Sequence, residues 1–432
     1  MLSRTARLSV SAAVVLALGS GAARADGRAS PGLFRWQLGG YGELGGAFYD
    51  FGADQSRDGG ARRDRRVELD ATRLALELEA IAPHDLEIEA ELEIEHGGTG
   101  AAREIEYDEF GEFETEVEKG GEVQLEEFAV KKTWGRVQVA AGKFYVGIGL
   151  LSSQYRPTDY LGATRAEGET TVVPGQWDEM GVSTTVRWPN LRLTAQLVNG
   201  LDSSGFSSAR WVSSGHQGAF ETIRAADVAG VVRVDVIPRE DVEVGVAGYY
   251  GGTTRTRPKA DLVPDCANPD PAAVAPCGYV SAPLAIVEAH GVAKVGPVRG
   301  SALALWGHLA NADVISTRNA RLSDQLGAPR TPVASQAVAL FGEVGVDVAP
   351  WLGMCPDHAL EPFVRFERYD TMFRVAPGQF DNPRFARNIA RGGVAYTWRN
   401  AFTLKLDGGV RWFASHALRH EHSIELGIGF VL

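Results

Sequence analysis

The sequence predicts an all-β fold: a transmembrane antiparallel β-barrel of about 16 strands, with short turns at one end and long loops at the other. Three observations lead there. Apolar and polar residues alternate with a period of two over most of the 432 residues. The polar face of each stretch carries full charges at successive positions, and a dry sandwich core could not hold them, because unpaired buried charges cost several kcal/mol each. Tight and long connections alternate along the chain.

The elements follow in order. Residues 1–25 read as a secretory signal peptide: Arg4 and Arg7 precede an apolar run from Leu8 to Leu18, and Ala23-Arg24-Ala25 fits the cleavage site. That run is shorter than the roughly 20 residues a spanning helix needs. The barrel domain then occupies 26–432. Strands are expected at 34–50, 64–82, 84–96, 122–134, 136–146, 178–188, 190–200, 226–237, 241–252, 284–295, 298–310, 335–348, 359–372, 387–397, 401–414 and 421–432. Tight connections such as "APHD" (82–85), "WPN" (188–190) and "WRN" (398–400) alternate with long ones at 97–121, 147–177, 201–225, 253–283 and 311–334. Trp134, Trp188, Trp351 and Trp398 fall beside the short connections, where an interfacial aromatic girdle would lie. The chain ends in "HSIELGIGFVL", whose Ile424, Leu426, Ile428, Phe430 and Leu432 share one face, as in a closing barrel strand.

The stretch "DLEIEAELEIE" (85–95) shows the logic at its sharpest. On a helix its apolar residues would lie about 200° apart and leave no buried face. On a strand, Leu86, Ile88, Ala90, Leu92 and Ile94 face lipid, while Asp85, Glu87, Glu89, Glu91, Glu93 and Glu95 face a water-filled lumen. Arg192, Arg233, Arg365, Glu367 and Arg411 read as lumen-facing by the same alternation. Closure satisfies every backbone group, as hydrocarbon demands, and sixteen strands leave an aqueous channel rather than a filled core.

Composition excludes other classes. A net charge of −12 argues against nucleic acid as a partner. Three cysteines are too few for a disulfide scaffold, although Cys266 and Cys277 bracket a Pro-rich loop that an exported chain could close with one bridge. No G-x-S-x-G, H-E-x-x-H or Walker loop is present, so neither an enzyme nor a cofactor is expected.

With the elements placed, a family resemblance becomes visible. "GKFYVGIGL" (142–150) resembles the G-[QK]-F-x-V-P-x-G-L segment of the phosphate-selective porins O and P. The stretches "PTDYLGATRAEGETTVVPGQWDEMGV" (157–182), "LVNGLDSSGF" (197–206), "LEPFVRFERYD" (360–370) and "VAPGQFDNP" (375–383) resemble segments of related porins. The resemblance implies a 16-stranded, trimeric outer-membrane barrel whose third loop folds into the pore. Two departures stand out: Gly147 replaces the family's Pro, and the chain has only seven lysines where those pores are lined with basic residues. Phosphate specificity is therefore not carried over.

Three segments carry candidate sites. The connection 147–177 holds Arg156, Asp159, Arg165, Glu167 and Glu169, with Asp178 and Glu179 at its exit, a set of opposed charges suited to a pore eyelet, or else to a solvated surface loop. The acidic stretch 103–119 could hold Ca²⁺ or bridge to lipopolysaccharide, but it lacks EF-hand spacing and its alternation suggests strands extending above the membrane. His416, His420 and His422 read as a polar turn rather than a metal site, and no metal is expected. The expected function is passive diffusion of ions and small hydrophilic solutes through an outer-membrane channel, weakly preferring cations. The alternative is a non-conducting adhesin or receptor that acts through its long loops. The partners are membrane lipid, lipopolysaccharide and small solutes, with a homotrimer as the assembly.

Overall fold

The computed structural model describes residues 34–53, 63–98, 122–217, 223, 225–256, 281–320, 331–415 and 418–432, with the backbone of 104–106 and 114–116. The signal segment 1–25, Cys266, Cys277, His416 and most of the acidic stretch 103–119 lie outside the described residues.

The strands are β1 (Arg35–Ala53), β2 (Arg63–Ala82), β3 (Leu86–Glu95), β4 (Glu104–Glu106), β5 (Glu114–Glu116), β6 (Glu122–Trp134), β7 (Val137–Tyr145), β8 (Asp178–Trp188) and β9 (Leu191–Asn199). They continue with β10 (Val228–Arg239), β11 (Val242–Gly251), β12 (Leu284–Val295), β13 (Val298–Leu309), β14 (Gln336–Val346), β15 (His358–Arg374), β16 (Ala386–Trp398), β17 (Phe402–Phe413) and β18 (Glu421–Val431). Sixteen of them close into one antiparallel barrel, while β4 and β5 pair separately as a short ribbon in the acidic stretch. The barrel closes between β1 and β18, from Tyr41 opposite Val431 to Asp50 opposite His422. The barrel strands are those the alternation predicts, with ends displaced by at most three residues.

The tight turns take the backbone the hairpin twist requires. His84 and Asp85 have φ of 66° and 57°, and Arg399 and Asn400 have 52° and 54°, two consecutive left-handed residues in each case. This corrects the reading of Asp85. It is exposed in the turn, and the inner wall begins only with Glu87.

The outer face is apolar and open to its surroundings. Leu69 is 87% exposed, and Val232, Val244, Val246, Leu406 and Ile424 are likewise uncovered. Trp36, Trp134, Trp188, Trp351 and Trp398 are exposed at the short-turn end, where an interfacial girdle belongs.

The interior departs from the expected water-filled lumen. On β10 to β14 the inward positions divide by height. Val231 on β10, Tyr249 on β11, and Leu284 and Ile286 on β12 form an apolar inner wall at the long-loop end, and Leu303 and Leu305 on β13 extend it down opposite His290 and Glu288. Arg233, Asp235, Glu288 and His290 follow on the same faces towards the short turns. The connections fold inward over the apolar half. Phe206, Trp211 and Val212 from the 200–227 connection, and Ile315 of α2 (Ala312–Asn319), join Leu201 and Val333 in one core. Trp211 is fully buried and donates its indole N–H to the Ala334 carbonyl at 2.9 Å. Asn319 ties α2 to the Ser203 carbonyl at 3.0 Å. One side of the barrel thus holds a true hydrophobic core.

Substitutions should separate the two faces. Val232→Arg on the outer face should destabilise the barrel by about 2–4 kcal/mol in a bilayer, and Leu305→Ala in the inner core by about 2–5 kcal/mol. Glu79→Gln should change little. Urea titration of vesicle-embedded protein measures all three, and equal damage from Val232→Arg and Glu79→Gln would contradict the assigned faces.

Candidate functional site

Loop 3, residues 146–177 between β7 and β8, crosses the lumen and is bonded to the inner wall along its length. It leaves β7 with the Gly147 amide donating to the Gln196 side chain at 2.8 Å. The Arg233 guanidinium donates to the Gly149 carbonyl at 2.7 Å. Gly149 has φ of +76°, and a Cβ there would run into the Glu169 carboxylate, so glycine is required on both counts. Glu169 in turn accepts from the Leu150 and Leu151 amides at 2.7 and 3.1 Å, which knots the start of the loop to its one helical turn, α1 (Glu167–Val172).

The middle of the loop reaches the opposite wall. Arg156 pairs with Glu77 on β2 at 2.9 Å, and Tyr160 donates to Glu43 on β1. The Leu161 amide donates to Glu343 at 2.9 Å, the Ala163 amide to Asp407 at 2.6 Å and the Gly168 amide to Glu367 at 3.0 Å. Thr164 donates to Glu425 at 3.0 Å, and Arg365 donates to the Thr164 carbonyl at 2.8 Å. Pro157 presses against Gly429 of β18 and leaves no space for a side chain, and Ala163 packs closely over Gly427. The wall carboxylates serve as acceptors for a loop whose backbone has no ladder of its own, which meets the requirement that buried amides be bonded.

The expected site residues are distributed unevenly over this arrangement. Arg233 and Arg365 are each 4% exposed and paired, Arg233 with Asp235 at 2.8 Å and Arg365 with Glu367 at 2.9 Å, so all three readings as water-facing pore lining are corrected to buried anchors under loop 3. Glu91 and Glu93 are buried as well, whereas Glu87, Glu89 and Glu95 remain partly exposed on the inner wall. Arg192 bonds Asp235 and Glu243 at 2.9 and 2.6 Å. In the loop, Arg156 and Asp159 make anchoring contacts, the Asp159 carboxylate accepting the Arg156 amide at 3.0 Å. Asp178 and Glu179 are fully buried at the start of β8, Asp178 paired with Lys143 at 2.5 Å and Glu179 accepting from Trp177 at 3.1 Å, and they do not face an open eyelet. Arg165, Glu167 and Arg411 do line open space.

That space is a cavity of about 520 Å³ between loop 3 and the wall of β1, β2, β16, β17 and β18. Its lining runs from Phe51, Glu68 and Glu421 near the long loops to Thr403 and Gly429 near the short turns, so it extends over most of the barrel height. Glu43, Arg391, Lys405 and Glu425 line it too; of these the alternation of 402–412 marks Lys405 as inward-facing, though none was expected as a site residue. Lys405 and Arg391 do fall at inward positions of their strands, so alternation alone could have found them. Arg391 is held between Asp407 and Glu425, the latter at 2.7 Å, and the Lys405 ammonium lies 3.6 Å from the centre of the Tyr160 ring. His422 is at the rim and His420 is exposed beside it.

Glu167 latches α1 to the wall beside this cavity. It accepts from Tyr369 and Arg411, with Arg387 at 3.6 Å. Burial pushes its carboxyl up, but Arg411 and Arg387 outweigh that and hold it at about 2, below the ordinary 4.5.

No family model matches this sequence, and no curated protein does. The fold is shared with solved structures. An anion-selective porin from Comamonas acidovorans aligns over 92% of this chain and 100% of its own, with a TM-score of 0.52 at 10% identity. The outer membrane channel DcaP of Acinetobacter baumannii aligns over 92% of this chain and 97% of its own, with a TM-score of 0.49 at 11% identity. The first likeness shows that the closed barrel of this chain is a fold it shares with that structure.

The Glu167 latch has a defined pH window. Its folded pKa of about 2 lies below the ordinary 4.5, so its contribution is complete above about pH 4.5 and is lost as pH falls towards 2. The difference in melting temperature between the native chain and Glu167→Gln should be constant at neutral pH and shrink to nothing across that window. A difference that survives unchanged at pH 2 would refute the latch.

Proposed function

We propose that this chain is an outer-membrane porin, conducting ions and small hydrophilic solutes through the passage between loop 3 and the wall of β1, β2 and β16 to β18. The observation that carries the reading is the passage itself, a charged, glycine-rich cavity of about 520 Å³ that follows the barrel axis while the other side of the lumen is filled. The likeness of the fold to porin structures supports the same reading, as do the apolar outer face and the tryptophan girdle. The signal peptide, the homotrimer and contact with lipid and lipopolysaccharide are parts of the same proposal. The resemblance to phosphate-selective porins contributes the inward-folded third loop and not the phosphate specificity.

Charge selectivity moves to a different set of residues. The glutamates of β3 are not among the groups that line the passage. Six carboxylates do line it, Glu43, Glu68, Asp70, Glu167, Glu421 and Glu425, against Arg165, Arg391, Arg411 and Lys405. Opposed charges at nearly balanced number give a transverse field and a weak cation preference, and at 0.15 M salt anything beyond about 8 Å is screened. The second reading, a non-conducting receptor or adhesin barrel, draws its support from the apolar core that the long loops build inside the barrel.

Cysteine accessibility in a planar bilayer separates the two. With the native cysteines replaced, Ser423→Cys on the passage wall should give channels whose current drops in steps when a charged methanethiosulfonate is added. Ala247→Cys, buried in the inner core, should be insensitive. Absence of any conductance from correctly folded protein would favour the receptor reading.

A further inference from the structure

Beyond β2 from the passage, the inner wall of β3 and β6 is short of positive charge. Glu91, Glu93 and Glu126 place carboxylate oxygens within 4.8 Å of one another, and none of the three is more than 3% exposed. The nearby cations are committed elsewhere. Arg73 bonds Glu43 at 3.0 Å, Lys131 bonds Glu127 at 2.8 Å and also Glu89, Lys143 bonds Asp178 at 2.5 Å, and Arg156 bonds Glu77 at 2.9 Å. The donors that do reach the cluster are neutral. Tyr41 donates to Glu91 at 2.9 Å, Tyr145 to Glu126 at 2.6 Å, and the Gln176 amide to Glu93 at 2.5 Å and Glu126 at 2.7 Å.

Two further features point to a missing ligand. Glu93 is 1% exposed, and its second oxygen, Oε1, has no hydrogen-bond partner. The third carboxylate is brought in by a break in the strand: the β3–β6 register passes from Glu91 opposite Glu127 to Leu92 opposite Leu125, so Glu126 is the extra residue of a bulge and joins Glu127 on the inner side. Three clustered carboxylates withdrawn from water, with only neutral donors, repel one another and lose their solvation together.

We propose that Glu91, Glu93 and Glu126 bind a divalent cation of the calcium class, with Gln176 of loop 3 turning its amide oxygen towards it. Calcium takes oxygen ligands at about 2.3–2.6 Å, so oxygens on its shell lie up to roughly 5 Å apart, which the 4.8 Å spacing satisfies. The phenol of Tyr41 or Tyr145 and water complete the shell. A cation here would bind the end of loop 3 to β3 and β6 and make the docking of the loop depend on the metal. The site is separate from the passage and does not depend on conduction.

Calcium titration of the full-length refolded protein, free of lipopolysaccharide, tests this by calorimetry. The expected result is one saturable site, lost in Glu93→Gln and weakened about tenfold in Gln176→Ala, whose side chain is the one ligand supplied by the loop. Heat-modifiable migration on gels confirms that each variant is folded, and Gln176→Ala decides the matter if Glu93→Gln does not fold. No saturation by about 10⁻³ M Ca²⁺ in the native chain would overturn the proposal. So would a site that survives both substitutions, or one lost instead in Glu79→Gln, which belongs to a second acidic group with Glu87 and Glu89.

Discussion

Charges that face the inside of a barrel must be wetted or paired, and in this chain many are bonded to loop 3. Glu343, Asp407, Glu425 and Glu367 each lie 180 residues or more beyond their loop 3 partners in sequence, yet each accepts a hydrogen bond from them. Arg233 and Arg365 do the converse and donate to loop carbonyls. The loop withdraws these carboxylates from water and supplies the donors they then need, and they in turn bond the amides the loop would otherwise bury unsatisfied. Their mutual satisfaction fixes the path of loop 3, and the path of loop 3 decides where open space remains.

The second determinant is the asymmetry of the inner wall. On β10 to β13 both faces are apolar at the long-loop end, one against the surroundings and one against the inward-folded connections carrying Phe206, Trp211 and Ile315. On β1, β2 and β16 to β18 glycine, serine and threonine replace bulk at several inward positions, and the charged groups are paired, Arg391 with Glu425 and Arg411 with Glu421. The same barrel is therefore packed like a globular domain on one side and left open on the other. The open side is lined by a mixed set of carboxylates and guanidiniums rather than by a uniform acidic wall.

Much of this was legible in the sequence, and the reason is locality. A strand's facing depends on its own period, so Leu86 to Glu95 declares itself without any partner, as do the other fifteen barrel strands. What alternation does not carry is depth. It places Glu91 and Glu87 on the same face, but only loop 3 decides that one is sealed and the other partly exposed. Glu126 was hidden because a bulge interrupts the period that would have revealed it. The apolar inner core did leave a signal: "LAIVEAHG" (284–291) and "SALALWG" (301–307) are apolar on both faces over half their length, which in a barrel means that something covers the inner side.

Hydrogen exchange tests most directly the claim that the inner-wall charges hold loop 3 across the lumen. The amides of Leu161, Ala163 and Gly168 are bonded to wall carboxylates, so in folded protein they should exchange as slowly as the barrel strands around them. Exchange of these three amides at the rate of an unprotected loop, with the strands still protected, would contradict the account.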